Sequence, residues 1–309
     1  MNKEKKNILT LIILLLFVIL IFLHNQEVKE HIIFGTELWL TKVFPSLFPM
    51  FIISELLIAY QFPDFLAKIF SIPFQKIFHA TPYGAFAFFM SLISGTPSSA
   101  YIIKKLMIEN KITEKDANHL LSFTFFSNPL FLITMLSLLF PNHPKYIIGI
   151  ICIHYLTNLI IGIVLRPKEI PNKKTTFTKN KNIQLGTLLS NAIKNAMNTL
   201  LLILGTICFY LMISCFIKPQ NETLQLFIKG ILELTQGLNA LSLFSSSLFI
   251  KACLAISFIS FGGLSIHTQI QSIIADTNIS YQMFLKGRIL HVMFSILFLL
   301  IATSTGIIT

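Results

Sequence analysis

Charge is what this chain has least of. Asp, Glu, Lys and Arg make up 12% of its 309 residues, against a hydrophobic fraction of 54% and a mean hydropathy of +0.75. Soluble domains carry about 25% charged residues, so a water-borne globular fold is excluded. Acidic residues are scarcest, 13 against 24 Lys and Arg, and they nowhere cluster. The eight histidines include no His-Glu-x-x-His run, so no metal site is offered. Cysteine is also rare. Cys152, Cys208, Cys215 and Cys253 lie inside apolar runs without Cys-x-x-Cys spacing, which reads as small buried hydrophobes instead of disulfides or ligands. No nucleophile–base pair stands out either, so the chain is expected to be no enzyme and to need no cofactor. The formal charge of +11 could suggest nucleic acid. Its basic residues are spread among loops between apolar segments, however, and read as topology signals; no nucleic-acid partner is expected.

What the chain does have is a succession of apolar runs long enough for a bilayer. The fold class is therefore an all-α polytopic membrane protein in the cell membrane, with lipid as its surroundings. Lys3, Lys5 and Lys6 precede an apolar run over 8–23. The following His24-Asn25-Gln26-Glu27 lacks a small-x-small cleavage site, so an uncleaved first helix with a cytoplasmic N-terminus is expected. Residues 31–60 form a second long segment. Residues 62–80 are amphipathic and read as an interfacial helix broken near Pro73. Residues 120–140 read as a span interrupted at Ser127-Asn128-Pro129, and 146–165 as an uninterrupted one. The hydrophilic linker 166–181 is rich in basic residues. A span over 186–217, a second amphipathic interfacial segment over 222–243, an apolar stretch over 249–274 broken at 260–265, and a last span over 281–301 complete the chain.

The stretch 84–107 organises the rest. At its centre, Ser94-Gly95-Thr96-Pro97-Ser98-Ser99 interrupts two apolar flanks. Irregular backbone at membrane depth survives only beside protein or a water-filled cavity, so the stretch reads as a re-entrant hairpin. The alternative is one Pro-kinked helix. The break over 260–265 resembles it: Ser91-Leu92-Ile93-Ser94 and Ser257-Phe258-Ile259-Ser260 share Ser-x-Ile-Ser, each with a glycine just beyond. Charge decides between the topologies. If 84–107 is re-entrant, the loops 104–117 and 166–181 are both cytoplasmic and leave few lysines outside. The expected architecture is then a single transmembrane domain over 1–309, with a first repeat at 31–165, a cytoplasmic linker at 166–185 and a second, inverted repeat at 186–309. It carries two re-entrant helical hairpins and two interfacial amphipathic helices. The second hairpin, 249–274, falls on the outer side together with Lys286 and Arg288. Only one span follows it, where two follow the first.

In this order of elements the chain resembles the concentrative nucleoside transporters. Its local sequence more closely resembles the YlbJ (SpoVV) family of sporulation membrane proteins, which carry nucleoside-recognition gate domains. The matching pieces are Phe44-Pro45-Ser46-Leu47-Phe48-Pro49, Ser94-Gly95-Thr96-Pro97-Ser98, Ser127-Asn128-Pro129-Leu130-Phe131, Leu234-Thr235-Gln236-Gly237-Leu238 and Phe261-Gly262-Gly263-Leu264-Ser265-Ile266-His267. The resemblance implies transport of a small anionic metabolite, dipicolinic acid, across a forespore membrane. Alternatives are a carrier of nucleosides or other small solutes, and a non-transporting sporulation factor that keeps the fold. A homotrimer follows only by analogy with the nucleoside carriers.

Candidate substrate-binding residues cluster at the two expected tips. Ser94, Gly95, Ser98 and Ser99 could present a helix N-terminus to an anion, or simply cap their own half-helix. Gly262, Gly263 and Ser265 allow close approach at the other tip. Asn128 either faces the same cavity or bonds carbonyls freed by Pro129. Glu55 reads as interfacial, Glu233 as solvated or locally paired, and His267 as a polar cap. Arg288 is the last candidate. It either greets headgroups or grips a carboxylate of the substrate through its bidentate fork.

Overall fold

The computed structural model describes residues 3–169 and 184–308, and these are helical with no strand among them. Helix α1 (Lys3–Leu23) is apolar and exposed along most of its length. Next, α2 (Asn25–Leu38), a π-helical turn (Trp39–Val43) and α3 (Phe44–Ala59) run on as one segment of 35 residues. Together with Pro144–Val164, Leu185–Phe216, Leu248–Ile274 and Tyr281–Ser304, it is long and apolar enough to cross a bilayer. Outward-facing Leu, Ile and Met side chains such as Leu130, Ile148, Leu201 and Met293 give the molecule an apolar exterior. This is a multi-pass α-helical membrane protein.

Helix α4 (Phe62–Phe78) runs unbroken through Pro73. The expected break is absent because the residues around the proline are held by packing: Phe70 lies against Phe89, and Phe74 and Phe78 against Phe88. That apolar contact offsets the one helical hydrogen bond proline removes. Helices α5 (Gly84–Ser94) and α6 (Ser98–Ile108) pack on each other across the break Gly95-Thr96-Pro97. Beyond them, α7 (Glu114–Phe123) starts on a Thr113–Asp116 capping box, and five non-helical residues separate it from α8 (Pro129–Leu139). Helix α9 (Pro144–Val164) closes the first half.

The second half departs from expectation. After α10 (Leu185–Phe216), residues 222–243 form no single interfacial helix. They fold as α11 (Glu222–Leu232) and α12 (Leu234–Leu243), which turn at Glu233 and pack along one another. Two glycines permit this: a Cβ on Gly237 would lie 2.3 Å from Gly230 Cα, so the backbones touch. Conversely, α13 (Leu248–Phe261) and α14 (Gly263–Ile274) diverge at Gly262-Gly263. The first packs on α15 (Tyr281–Ser304), α12 and α9, the second on α10 and α6. The second hairpin is thus 222–243, and 249–274 is a bent, membrane-length segment comparable to α7–α8. Each half then reads as a long helix, a hairpin, a broken helix and a straight helix. Helices α1 and α4 have no counterpart in the second half.

Contacts between loops assign the helix ends to two faces. Lys104 Nζ pairs with Asp276 at 2.6 Å, Ser280 N–H donates to Asn118 Oδ1 at 2.6 Å, and Arg166 donates to Ile77 O at 3.3 Å. On the opposite face, Lys218 pairs with Glu27, and Gly149 lies against Ile308. The start of α15, with Lys286, is therefore on the same face as Lys104 and Arg166, not across from them. The hydrogen bond from Lys104 also holds the exposed Asp276 carboxyl below its usual range.

Candidate functional site

The breaks in these helices are where backbone groups lose their helical partners, and neighbouring elements replace them. In the gap between α7 and α8, Ser127 N–H donates to His154 Nε2 at 3.0 Å, Tyr155 OH to Ser127 O at 3.0 Å, and Asn158 Nδ2 to Phe125 O at 2.7 Å. Phe126 O accepts from Thr96 N–H at 2.9 Å, which ties the first hairpin tip to the gap. Asn128 caps α8 by accepting from Leu130 N–H at 2.9 Å and reaches back to Ile93 O at 3.3 Å. In the other half, Gly263 (φ +73°) sits 3.0 Å from Leu234 N, measured from the position its Cβ would take, so the bend of α13–α14 abuts the second hairpin tip. Left unmade, these bonds would strand polar groups away from water.

A cavity of about 90 Å³ opens where these breaks meet. Thr96 and Pro97 line it from the first hairpin, Ser127 and Asn128 from the α7–α8 gap, and Glu233, Leu234 and Thr235 from the second hairpin. Gln269 and Ile266 of α14, Ile203 and Ile207 of α10, and Lys42, Val43 and Ser46 of the π-turn and α3 complete the wall. Ligand pockets usually enclose ~300–1,000 Å³, so the chamber is small in this conformation. A cleft of about 240 Å³ adjoins it between the π-turn and α8, sharing Lys42, Val43, Ser46, Phe131 and Thr235.

Similarity to known proteins can be weighed against this geometry. The chain is 28% identical, over a 342-residue alignment, to the sporulation integral membrane protein YlbJ of Bacillus subtilis (strain 168). The alignment covers 97% of this chain and 84% of the Bacillus protein. No family model matches the chain. No solved structure matches it either. The Bacillus protein thus resembles this chain along nearly its whole length, in line with the motifs that suggested that family.

Of the residues expected to bind substrate, Asn128 lines the cavity. The others stand behind it. Ser94 Oγ lies 2.6 Å from Met90 O and Ser98 Oγ 2.5 Å from Gly95 O, and the two hydroxyls lie against each other, so that one donates to the other and the second to its neighbouring carbonyl. Ser99 is buried beside them. These serines cap the hairpin from inside. Gly95 (φ +77°) lets the tip approach Asn128, where a Cβ would come within 2.7 Å of its backbone nitrogen. Gly262 (φ +90°) does the same against the Phe125 ring. Ser265 accepts from Gln269 Nε2 at 3.3 Å, and His267 bridges Tyr281 OH and Phe261 O. Glu55 is buried in a pair with Lys105, with Tyr101 and Asn195 donating to it.

Arg288 is fully buried and does not line the cavity. Its Nη2 donates to Ser122 O at 3.0 Å and Asn158 Oδ1 at 3.1 Å, its Nη1 to Ser260 O at 3.5 Å, and its guanidinium lies 4.1 Å above the Phe125 ring. Ser122 and Ser260 are the next-to-last residues of α7 and α13, so two negative helix ends face the cation.

Sequence reasoning missed two lining charges. Glu233 read as the polar side of an interfacial helix; it is buried at a hairpin tip, accepting from Gln236 N–H at 2.7 Å. The Gly230/Gly237 pair, three residues before it and four after, was the available signal. Lys42 went unweighed although it interrupts a long apolar segment, itself a mark of function.

Proposed function

We propose that this protein is a secondary carrier of a small organic anion, with its binding site in the chamber between the hairpin tips. One observation supports this most: four interruptions of helices, the π-turn, the tips of the two hairpins and the α7–α8 gap, line one cavity whose largely apolar wall carries Lys42, Thr96, Ser127, Asn128, Glu233 and Gln269. Broken helices meeting at mid-depth are the recurring substrate sites of secondary transporters. The basic loops around Lys104, Lys111, Lys115 and Arg166 support a cytoplasmic assignment for that face and for the N-terminus. On this reading the first hairpin re-enters from the cytoplasmic side and the second from outside, an inverted repeat.

The likeness to a sporulation membrane protein makes dipicolinate, moving across a forespore membrane, the first cargo to test. The chain reconstituted in liposomes should carry labelled dipicolinate faster than protein-free liposomes, and faster than it carries uridine. Flux no greater than the empty-liposome leak for both solutes would leave the non-transporting membrane factor as the reading. Faster uridine flux would favour a nucleoside carrier.

A further inference from the structure

We infer that Lys42 is the cation that recognises the anion's carboxylate; the inference rests on the carrier reading above. Lys42 lies at the midpoint of the 35-residue segment Asn25–Ala59. At ~1.5 Å per residue it is about 25 Å along the helix from either end, beyond what a four-carbon stem can cover by snorkelling. It is nevertheless exposed, and it borders both the chamber and the adjoining cleft.

Three charges buried in the molecule are already engaged. Glu55 holds Lys105, Arg288 holds the carbonyls of Ser122 and Ser260, and Glu233 caps α12. Among the described residues Lys42 Nζ makes neither a hydrogen bond nor an ion pair, and no salt bridge joins it to Glu233 although both line the chamber. An ammonium at this depth is costly, and without a protein partner its natural complement is a charge that arrives with the cargo.

Its mounting points the same way. Lys42 sits in the five-residue π-turn Trp39–Val43, whose extra residue shifts the register of everything before it against α3. Such turns recur at functional sites. Trp39 fixes the turn by donating from Nε1 to Leu200 O of α10 at 2.9 Å, so the lysine projects from a braced element. A compact ammonium with three rotatable donors can follow a carboxylate from the cleft into the chamber.

Binding to the purified full-length chain tests this with two probes, pyridine-2,6-dicarboxylate and its neutral dicarboxamide. Lys42→Gln should weaken dicarboxylate binding by about 10- to 100-fold, the range for a hydrogen bond to a charged group. Dicarboxamide binding should hold, and Lys42→Arg should stay within a few-fold of the parent for both. Lys42→Met, which keeps the apolar stem, is run in parallel so that a poorly folded Gln variant does not decide the matter. Parental dicarboxylate affinity in the Gln or Met variant would overturn the inference alone. So would an equal loss of both probes in a variant that melts normally, because Lys42 would then shape the cavity without reading charge. A parent that binds neither probe would remove the carrier reading and this inference together.

Discussion

A guanidinium inside a membrane protein needs acceptors, and Arg288 finds them where helices end. Ser122 O and Ser260 O are left without helical donors by the breaks after α7 and α13, and Arg288 serves both at once. No carboxylate is required, since two helix C-termini each carry about half a negative charge. This makes Arg288 a joint between the two broken helices. Arg288→Met should strand both carbonyls, at roughly 1–3 kcal/mol each. The expected reading is a melting temperature in detergent lower by several degrees, with partial recovery in Arg288→Lys. A methionine variant that melts with the parent would show that the joint carries no load. Lys42 differs from Arg288 in the one respect that matters: the structure supplies it no acceptor.

At the scale of elements, the two hairpins reach the same result by different chemistry. In α5–α6 the close approach is made by Ser94 and Ser98, whose hydroxyls meet each other and the carbonyls of Met90 and Gly95. In α11–α12 it is made by Gly230 and Gly237, with nothing between the backbones. A Cβ at Gly237 therefore has no flexible neighbour to displace. Gly237→Ala should cost on the order of 1–3 kcal/mol or more through backbone displacement, measured as a lower melting temperature. Gly205→Ala in α10 is the control, because nothing lies within 4 Å of the added methyl, and removing a helical glycine should be neutral or slightly stabilising. Equal melting of the two variants would contradict the packing described. Helix α4 makes a related point, since Phe packing carries it through Pro73 without a break.

At the scale of the molecule, the corrected pairing of elements removes an oddity. With 222–243 as the second hairpin, a broken helix and a straight helix follow each hairpin, so the halves match where the earlier register left one helix short. It also returns Lys286 to the face that holds Lys104, and an outward-facing basic pair no longer needs explaining. Single cysteines at Glu109 and Asn278, in a background lacking the four native ones, should share one accessibility to impermeant thiol reagents. A cysteine at His143 should show the opposite. Labelling that separates Glu109 from Asn278 would restore 249–274 as the re-entrant element.

Composition, apolar run length and basic-loop pattern determined by themselves that this is an α-helical, multi-pass membrane protein, because lipid admits few other backbones. They also placed most helix breaks, including Gly95-Thr96-Pro97, Asn128 before Pro129 and Gly262-Gly263, because glycine and proline act on the backbone locally. The pairing of helices was another matter. The segments 222–243 and 249–274 each contain a break, and whether a break yields a hairpin or a bend depends on which surfaces meet: Gly230 on Gly237 in one, α13 on α15 and α14 on α10 in the other. The same holds for charge. Arg288, Glu55 and Lys42 are all ionisable residues within apolar runs, and only the packed structure surrounds the first two with partners and leaves the third facing a cavity. Partners for a buried charge come from distant parts of the chain, as Ser122 does for Arg288, and no local pattern records them.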